Sequence, residues 1–354
     1  MANLNILILG ASYGSLLATK ILLAGHDVTL VCTASTADLI NQVGTRVRFP
    51  IRGQTDPVEV DSRHLPGWLR AATPDDVNPG DFDLACLAMQ EPQYGAPGVR
   101  ELMIRIAAHR VPCLSIMNMP PPPYLRRMPR LRVENYSKCY QDADLWQNFE
   151  PGLVTLCSPD PQAFRPSPQE PNVLQVGLAT NFKAAEFDDA AANQILRGLE
   201  QSMAQSQWHG QDLPVKLKVH SSIYVPLAKW CMLMTGNYRC VLADSVQSIQ
   251  TAVHENIDQS RAVYEWTKQI CFNLGAAPED LVPFEKYAQA AQSLLKPSSV
   301  ARSLAAGAQN VERVDLLVKL VAEDLEQDAS LIASTVEYVD GWLHRNRKAI
   351  NTGS

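Results

Sequence analysis

The sequence contains no uncharged apolar run approaching the ~18 residues of a membrane span. A spanning protein is therefore not expected. It also lacks an excess of positive charge: 31 Lys and Arg stand against 37 Asp and Glu, a formal net charge of −6. Phosphate backbones need a basic surface, so a general nucleic-acid binder is not expected either. Metal-ligand spacings are missing. The eight cysteines form no CxxC pair, and the seven histidines form no HxH or HExxH arrangement. No metal site is expected. Cysteines 32, 86, 113, 139, 157, 231, 240 and 271 mostly lie within apolar runs, which reads as small buried hydrophobes in a reducing compartment. The N-terminus lacks the basic opening of an export signal, and Gly10 interrupts its apolar stretch. The expectation is a cytoplasmic protein without a membrane or nucleic-acid partner.

What is present is ordinary globular material, 46% hydrophobic and 19% charged. A chain of 354 residues suggests two domains, at roughly 100–200 residues each. The first thirty residues form the clearest unit. Residues 6–9 are a continuous apolar run, as expected of a strand buried on both faces. The turn Gly10-x-Ser12-x-Gly14 follows, then a helical pattern from Ser15 to Ala24 closed by Gly25. Residues 28–32 read as a second strand, completing a βαβ unit. Further strands fit residues 83–88 and 112–116, with a helix at 98–109 between them. Alternating strands and helices imply an α/β, doubly wound parallel sheet.

Residues 119–172 break this pattern. They carry the run Pro120–Pro123 and Arg126, Arg127, Arg130 and Arg132, so no regular helix or central strand is expected there. Within the segment 153–157 reads as a strand, and 173–177, just after the segment, reads as another; both would extend the sheet edge. From residue 188 the apolar spacing is helical, over 190–205, 215–237, 245–274, 282–295 and 311–342. The chain thus divides into 1–187, a dinucleotide-binding α/β domain with a Pro-rich insertion at 119–172, and 188–354, a helical substrate domain. The arginine cluster and the Met and Trp residues of the helical half read as solvated surface and as core, respectively.

The glycine turn admits three readings. In a dinucleotide-binding turn, small residues let the backbone approach a pyrophosphate at a helix N-terminus. That reading assigns Gly10, Ser12, Tyr13, Gly14 and Ser15 to the cofactor, although the turn is one residue shorter than GxGxxG and Ser12 replaces its middle glycine. The same letters match the GxSxG nucleophile elbow of hydrolases. Such elbows follow several earlier strands, and only one precedes Ser12. The third reading is a plain structural turn. Cofactor choice is read beyond the second strand, where Thr33 and Ser35 stand and no acid occurs before Asp38. Hydroxyls tolerate a 2′-phosphate that a carboxylate would repel. NADPH is therefore expected, with NADH kept open because no arginine stands there.

Four stretches resemble the ketopantoate reductase family. They are Leu9-Gly10 with Gly14–Ala18 running into 24–31; Ile116–Met119; Lys229-Trp230 with Gly236-Asn237; and Lys296–Ser299 with Val311–Asp315. They occur in the family's order and span most of the chain. The resemblance implies a Rossmann-like N-terminal domain and an all-α C-terminal domain like that of 6-phosphogluconate dehydrogenase. It implies NAD(P)H-dependent reduction of the ketone of a small-molecule 2-oxo acid, with a homodimer left open. Lys229 and Glu312 take the catalytic positions. Asn118, Asn237, and Ser298 or Ser299 take the substrate positions, and Met89, Gln90 and Asn118 lie toward the nicotinamide. Departures are equally specific. Leu233 replaces an asparagine, Gln90 a lysine and Met119 a glycine, and the Pro-rich insertion has no counterpart in short members.

The chemistry of these residues is consistent with that assignment. A ketone reduction needs a hydride and a proton for the developing alkoxide. Lys229 lies between apolar flanks, 225–228 and 230–233, and desolvation of its amine suits a general acid. Glu312 can bond substrate and help keep the lysine charged. Asn118 sits at a strand's carboxyl end, where doubly wound sheets bind ligands. A serine at a helix N-terminus suits a substrate carboxylate. Two alternatives stay open: an opine-dehydrogenase-like condensation of an amino acid with a 2-oxo acid, and an NADPH-binding sensor without turnover.

Overall fold

The computed structural model describes residues 3–351. Its twelve strands are β1 (Asn5–Leu9), β2 (Asp27–Val31), β3 (Arg46–Phe49), β4 (Val58–Asp61), β5 (Leu69–Ala72) and β6 (Leu84–Leu87). They continue with β7 (Cys113–Ile116), β8 (Val154–Ser158), β9 (Gln162–Phe164), β10 (Val173–Leu178), β11 (Phe182–Ala185) and β12 (Leu217–His220). Eight of them form one sheet in the order β12-β11-β8-β7-β6-β1-β2-β5. Every neighbouring pair is parallel except β11 and β8. The apolar strand β1 occupies the middle, with Ile6 in register with Val28 on one side and Leu84 on the other. Ile6, Leu7, Ile8 and Leu9 are fully buried. Burial of each such side chain is worth about 1.5–3 kcal/mol, so the continuous run selects a central strand.

The helix Gly14–Leu23 follows β1 and is buried at all ten positions. It is buried all round because it lies between the sheet and the helix Ala190–Gln205. β3, β4, β9 and β10 form a second sheet, in the order β4-β3-β10-β9. The segment 173–177, expected at the edge of the main sheet, is therefore part of a separate sheet. Its β10 pairs with β3 in parallel and with β9 antiparallel. The expectation for 153–157 agrees with β8, which pairs with β7.

The chain clusters into two compact units. The first comprises Met1–Met89, Gln93–Arg127 and Asp144–Ile223; the second comprises Gln90–Pro92, Met128–Ala143 and Tyr224–Ser354. The boundary read near residue 187 thus falls inside the first unit. The reason is β12. Leu217–His220, read as the start of a helix, alternates buried and exposed residues and adds to β11 in parallel. Four residues carry both periods, and the open edge of β11 selects the strand.

The Pro-rich stretch is also divided. Pro120–Pro123 are all buried, and Pro122–Leu125 form a short helix whose opening prolines need no N–H partner. The Arg127 side chain is only 3% exposed. It donates to Asp188 at 2.8 Å and to the Glu186 carbonyl at 2.9 Å, so it is a structural tie rather than solvated charge. Residues 128–143 belong to the second unit, where Tyr136 donates to Asp324 at 2.6 Å and the Glu91 carboxylate accepts the Gln141 N–H at 3.1 Å.

In the second unit the helices are Lys229–Met232, Ile249–His254, Ile257–Leu274, Phe284–Ala291, Ser299–Ala305, Val314–Asp324 and Ala333–Asn351. The long patterns read at 245–274 and 311–342 are thus each broken into two helices. All eight cysteines are free, and seven are buried. Among the described residues no helix is long and apolar enough to cross a membrane, and no three His, Cys, Asp or Glu side chains come together as metal ligands.

Candidate active site

In the first unit, candidate residues gather at the carboxyl ends of β1, β2, β6 and β7. β1 leads on to β2 on one side, whereas β6 lies on its other side, so the strand order reverses at β1. That reversal is where open α/β sheets bind ligands. Gly10 ends β1 with φ +104° and donates its N–H to the Val31 carbonyl at 2.9 Å. A Cβ there would stand 2.6 Å from Met89 Cγ and 2.9 Å from the Ala88 carbonyl oxygen. A Cβ on Gly14 would stand 2.7 Å from Ile8 Cγ2. Both positions require glycine: the turn lies against the end of β6, and its helix starts against β1.

Ser15 donates its hydroxyl to the Ala11 carbonyl, while Ser12 is exposed. Tyr13 is the exception in this group. Its hydroxyl donates to the Pro161 carbonyl at 2.7 Å and its ring meets Phe182 edge-on. Burial pushes its phenol well above the ordinary range. The side chain is thus engaged in the first unit's own packing, and only the backbone of Tyr13 is left to the turn. Thr33 is the N-cap of the helix Ala34–Val43 and donates to Thr36 Oγ1 at 3.0 Å; Ser35 is exposed beside it. Neither this helix nor Gly14–Leu23 carries an acid in its first turn. Two helix N-termini without nearby acids suit anionic groups. Met89 donates its N–H to the Tyr94 hydroxyl at 2.9 Å, and Asn118 is half-buried two residues beyond β7. Gln90 is exposed and clusters with the second unit.

In the second unit, Lys229 opens a composite helix. A 3-10 turn (Val225–Ala228) leads into the α-helical Lys229–Met232, then a π-helical segment (Leu233–Asn237), then a 3-10 turn (Tyr238–Cys240). Lys229 is half-buried between the buried Ala228 and Trp230, and Leu233 is buried. Asn237 ends the π segment. Ser298, the N-cap of Ser299–Ala305, is 3% exposed and donates to the Asn237 carbonyl at 2.6 Å; Ser299 is exposed. The buried Tyr238 hydroxyl donates to the Glu312 carbonyl and accepts the Val314 N–H at 3.1 Å. Burial raises this phenol well above the ordinary range, so it remains a donor. Arg313, beside Glu312, grips Asp315 at 3.0 and 3.1 Å and Asp340 at 2.7 Å.

These tethers bring Asn237, Ser298 and Glu312 together around the end of the helix that Lys229 begins. Ser299 is not part of them. Sequence reasoning missed Tyr238, whose tie to Glu312 spans many residues and follows no spacing pattern.

Lys229, Asn237, Ser298 and Glu312 all belong to the second unit, and the ties among the last three run through the backbone carbonyls of Asn237 and Glu312. No protein-family model and no curated protein matches the chain. Solved structures do. This chain has the ketopantoate reductase fold. The 2-dehydropantoate 2-reductase of Methylococcus capsulatus matches 97% of this chain over 98% of its own, with a TM-score of 0.65 and 13% identity. A dimeric ketopantoate reductase from Staphylococcus aureus matches 97% of this chain over 100% of its own, at 0.63 and 11%. D-mandelate dehydrogenase, in a ternary structure with NADH and anilino(oxo)acetate, matches 97% of this chain over 99% of its own, at 0.63 and 14%. The ketopantoate reductase fold thus extends over the Rossmann-like sheet and the helical C-terminal region together.

Proposed function

We propose that the chain reduces the ketone of a 2-oxo acid or related carbonyl compound with NAD(P)H. The observation that carries this reading is the tethering of Asn237, Ser298 and Glu312 around the helix of Lys229. The fold supports it, since structures with that fold include 2-oxo acid reductases and one with NADH.

The first unit suits a dinucleotide, because the glycine turn opens an acid-free helix N-terminus at the carboxyl end of β1, where the strand order reverses. In this reading the backbone of Gly10, Ser12, Tyr13, Gly14 and Ser15 takes the pyrophosphate. Thr33 and Ser35 take the ribose 2′ substituent. The absence of an acid there favours NADPH, with NADH the alternative. Met89, Gln90 and Asn118 lie toward the nicotinamide, which supplies the hydride when bound.

Lys229 gives its ammonium proton to the developing alkoxide oxygen, and Glu312 helps keep the amine charged before that step. Asn237 holds the substrate's carboxylate, and the Ser298 hydroxyl, whose one proton goes to the Asn237 carbonyl, fixes that residue in place. Ser299, exposed at the next position, is the second candidate for that contact. A homodimer, as in the Staphylococcus aureus structure, belongs to the same reading.

The test is consumption of NADPH and of NADH, followed at the nicotinamide absorbance band against a panel of 2-oxo acids. Turnover with at least one acid is expected. Cofactor binding without any turnover would make the protein a sensor instead, and no binding of either cofactor would remove the reading altogether.

A further inference from the structure

The π-helical segment has a specific prop. In an α-helix the Gly236 N–H would bond the Met232 carbonyl. Here the ladder widens, and the Tyr238 N–H reaches back five residues to Leu233. Such a wide turn is rare and costs ladder geometry, so something must hold it. Tyr287, from the helix Phe284–Ala291, donates its hydroxyl to the Met232 carbonyl at 3.1 Å. The same hydroxyl fills the space beside Gly236, where a Cβ would stand only 2.0 Å away. Tyr287 is 6% exposed and stacks on Tyr264 at 5.5 Å, and Tyr264 is fixed by its own bond to the Val282 carbonyl at 2.8 Å. The tyrosine oxygen and the glycine are therefore a matched pair.

The wide turn alters which residues share a face. In an unbroken α-helix, at about 100° per residue, Asn237 would sit about 80° around from Lys229. A turn of roughly 4.4 residues between 233 and 237 brings it to about 10°. Lys229 and Asn237 then lie in line along the helix.

We infer that Tyr287 is a positioning residue for the proposed reaction: its hydroxyl, seated against Gly236, holds the π turn that aligns Asn237 with Lys229. The inference rests on the reductase reading for its catalytic consequence, but the prop itself can be tested without activity. Tyr287→Phe keeps the ring and its stacking and removes only the oxygen. Amide hydrogen exchange in 233–238 should accelerate about tenfold or more in this variant, with global stability little changed. Unchanged exchange there would overturn the prop.

The catalytic arm uses the same variant with the best oxo acid found for the wild type. kcat should fall about tenfold, while the KM for the nicotinamide cofactor stays the same. Faster exchange with an unchanged kcat would overturn the positioning role. Gly236→Ala places a methyl against the oxygen and should lose activity about a hundredfold or more. The double variant, which removes the oxygen the methyl strikes, should recover at least tenfold over Gly236→Ala alone. Simple additivity of the two losses would overturn the pairing. If the wild type reduces no oxo acid, the reductase reading fails, and the exchange experiment still decides whether Tyr287 props the turn.

Discussion

Lys20 lies on the helix that follows the glycine turn and is fully buried. Its ammonium donates to the Leu213 carbonyl at 3.0 Å. Burial, with a smaller push from Lys216, lowers its pKa from 10.5 to about 8. At about 1.4 kcal/mol per pH unit, this costs the fold about 3 kcal/mol at neutral pH. Replacing Lys20 by Met removes the charge and keeps an unbranched chain of similar reach. The Leu213 carbonyl then loses its donor, a cost of about 1–2 kcal/mol. The net expectation is a gain of about 1–2 kcal/mol at pH 7. The sign of the pH dependence follows from the protons. Below pH 8 both folded and unfolded chains hold the lysine proton, and the penalty is complete. Between pH 8 and about 10.5 the unfolded chain keeps a proton that the folded chain has lost, so wild-type stability rises with pH. Lys20→Met lacks this rise. Urea unfolding of both proteins from pH 7 to about pH 10 measures the gap between them, which should close as pH increases. A less stable variant at pH 7, or a gap that does not move with pH, would refute the reasoning.

Gly10→Val should leave a folded chain that no longer binds NADPH, because φ +104° and the approach to Met89 exclude a side chain; unchanged affinity by titration would show that the turn does not hold the pyrophosphate. Lys229→Ala should lower kcat by roughly 10²–10⁴ with cofactor binding retained, and Lys229→Arg should rescue poorly because a guanidinium hardly gives up its proton. A near-normal kcat in the alanine variant would leave Glu312 as the next acid to test. Leu233 is buried, and the resemblance to ketopantoate reductases sets it against an asparagine of that family, so ketopantoate should be a poorer substrate than a more apolar oxo acid. Efficient ketopantoate turnover, near ~10⁴ M⁻¹s⁻¹ or above, would contradict this.

The sequence by itself determined the core of the first unit. The run at 6–9 has no polar residue, so it could only be a strand covered on both faces. Gly10 and Gly14 marked a tight turn between a strand and a helix by their spacing alone, while the packing against Met89 and Ile8 came from the fold. The order of the four motif stretches likewise pointed to the fold before any contact was known. Local signals of this kind are legible because the cause lies within a few residues.

Other features depended on partners distant in the chain. Leu217–His220 is compatible with a helix, and only the free edge of β11 makes it a strand. Residues 173–178 are apolar enough for the main sheet, and only β3 and β9 place them in another. Ser298 and Ser299 are indistinguishable as letters, yet one is buried against Asn237 and the other is exposed. The π turn at 233–237 has no sequence period of its own, since it exists through a tyrosine fifty residues later that occupies the space a glycine leaves. Tertiary structure decided these points because each depends on a hydrogen bond or a packing volume supplied by a distant segment.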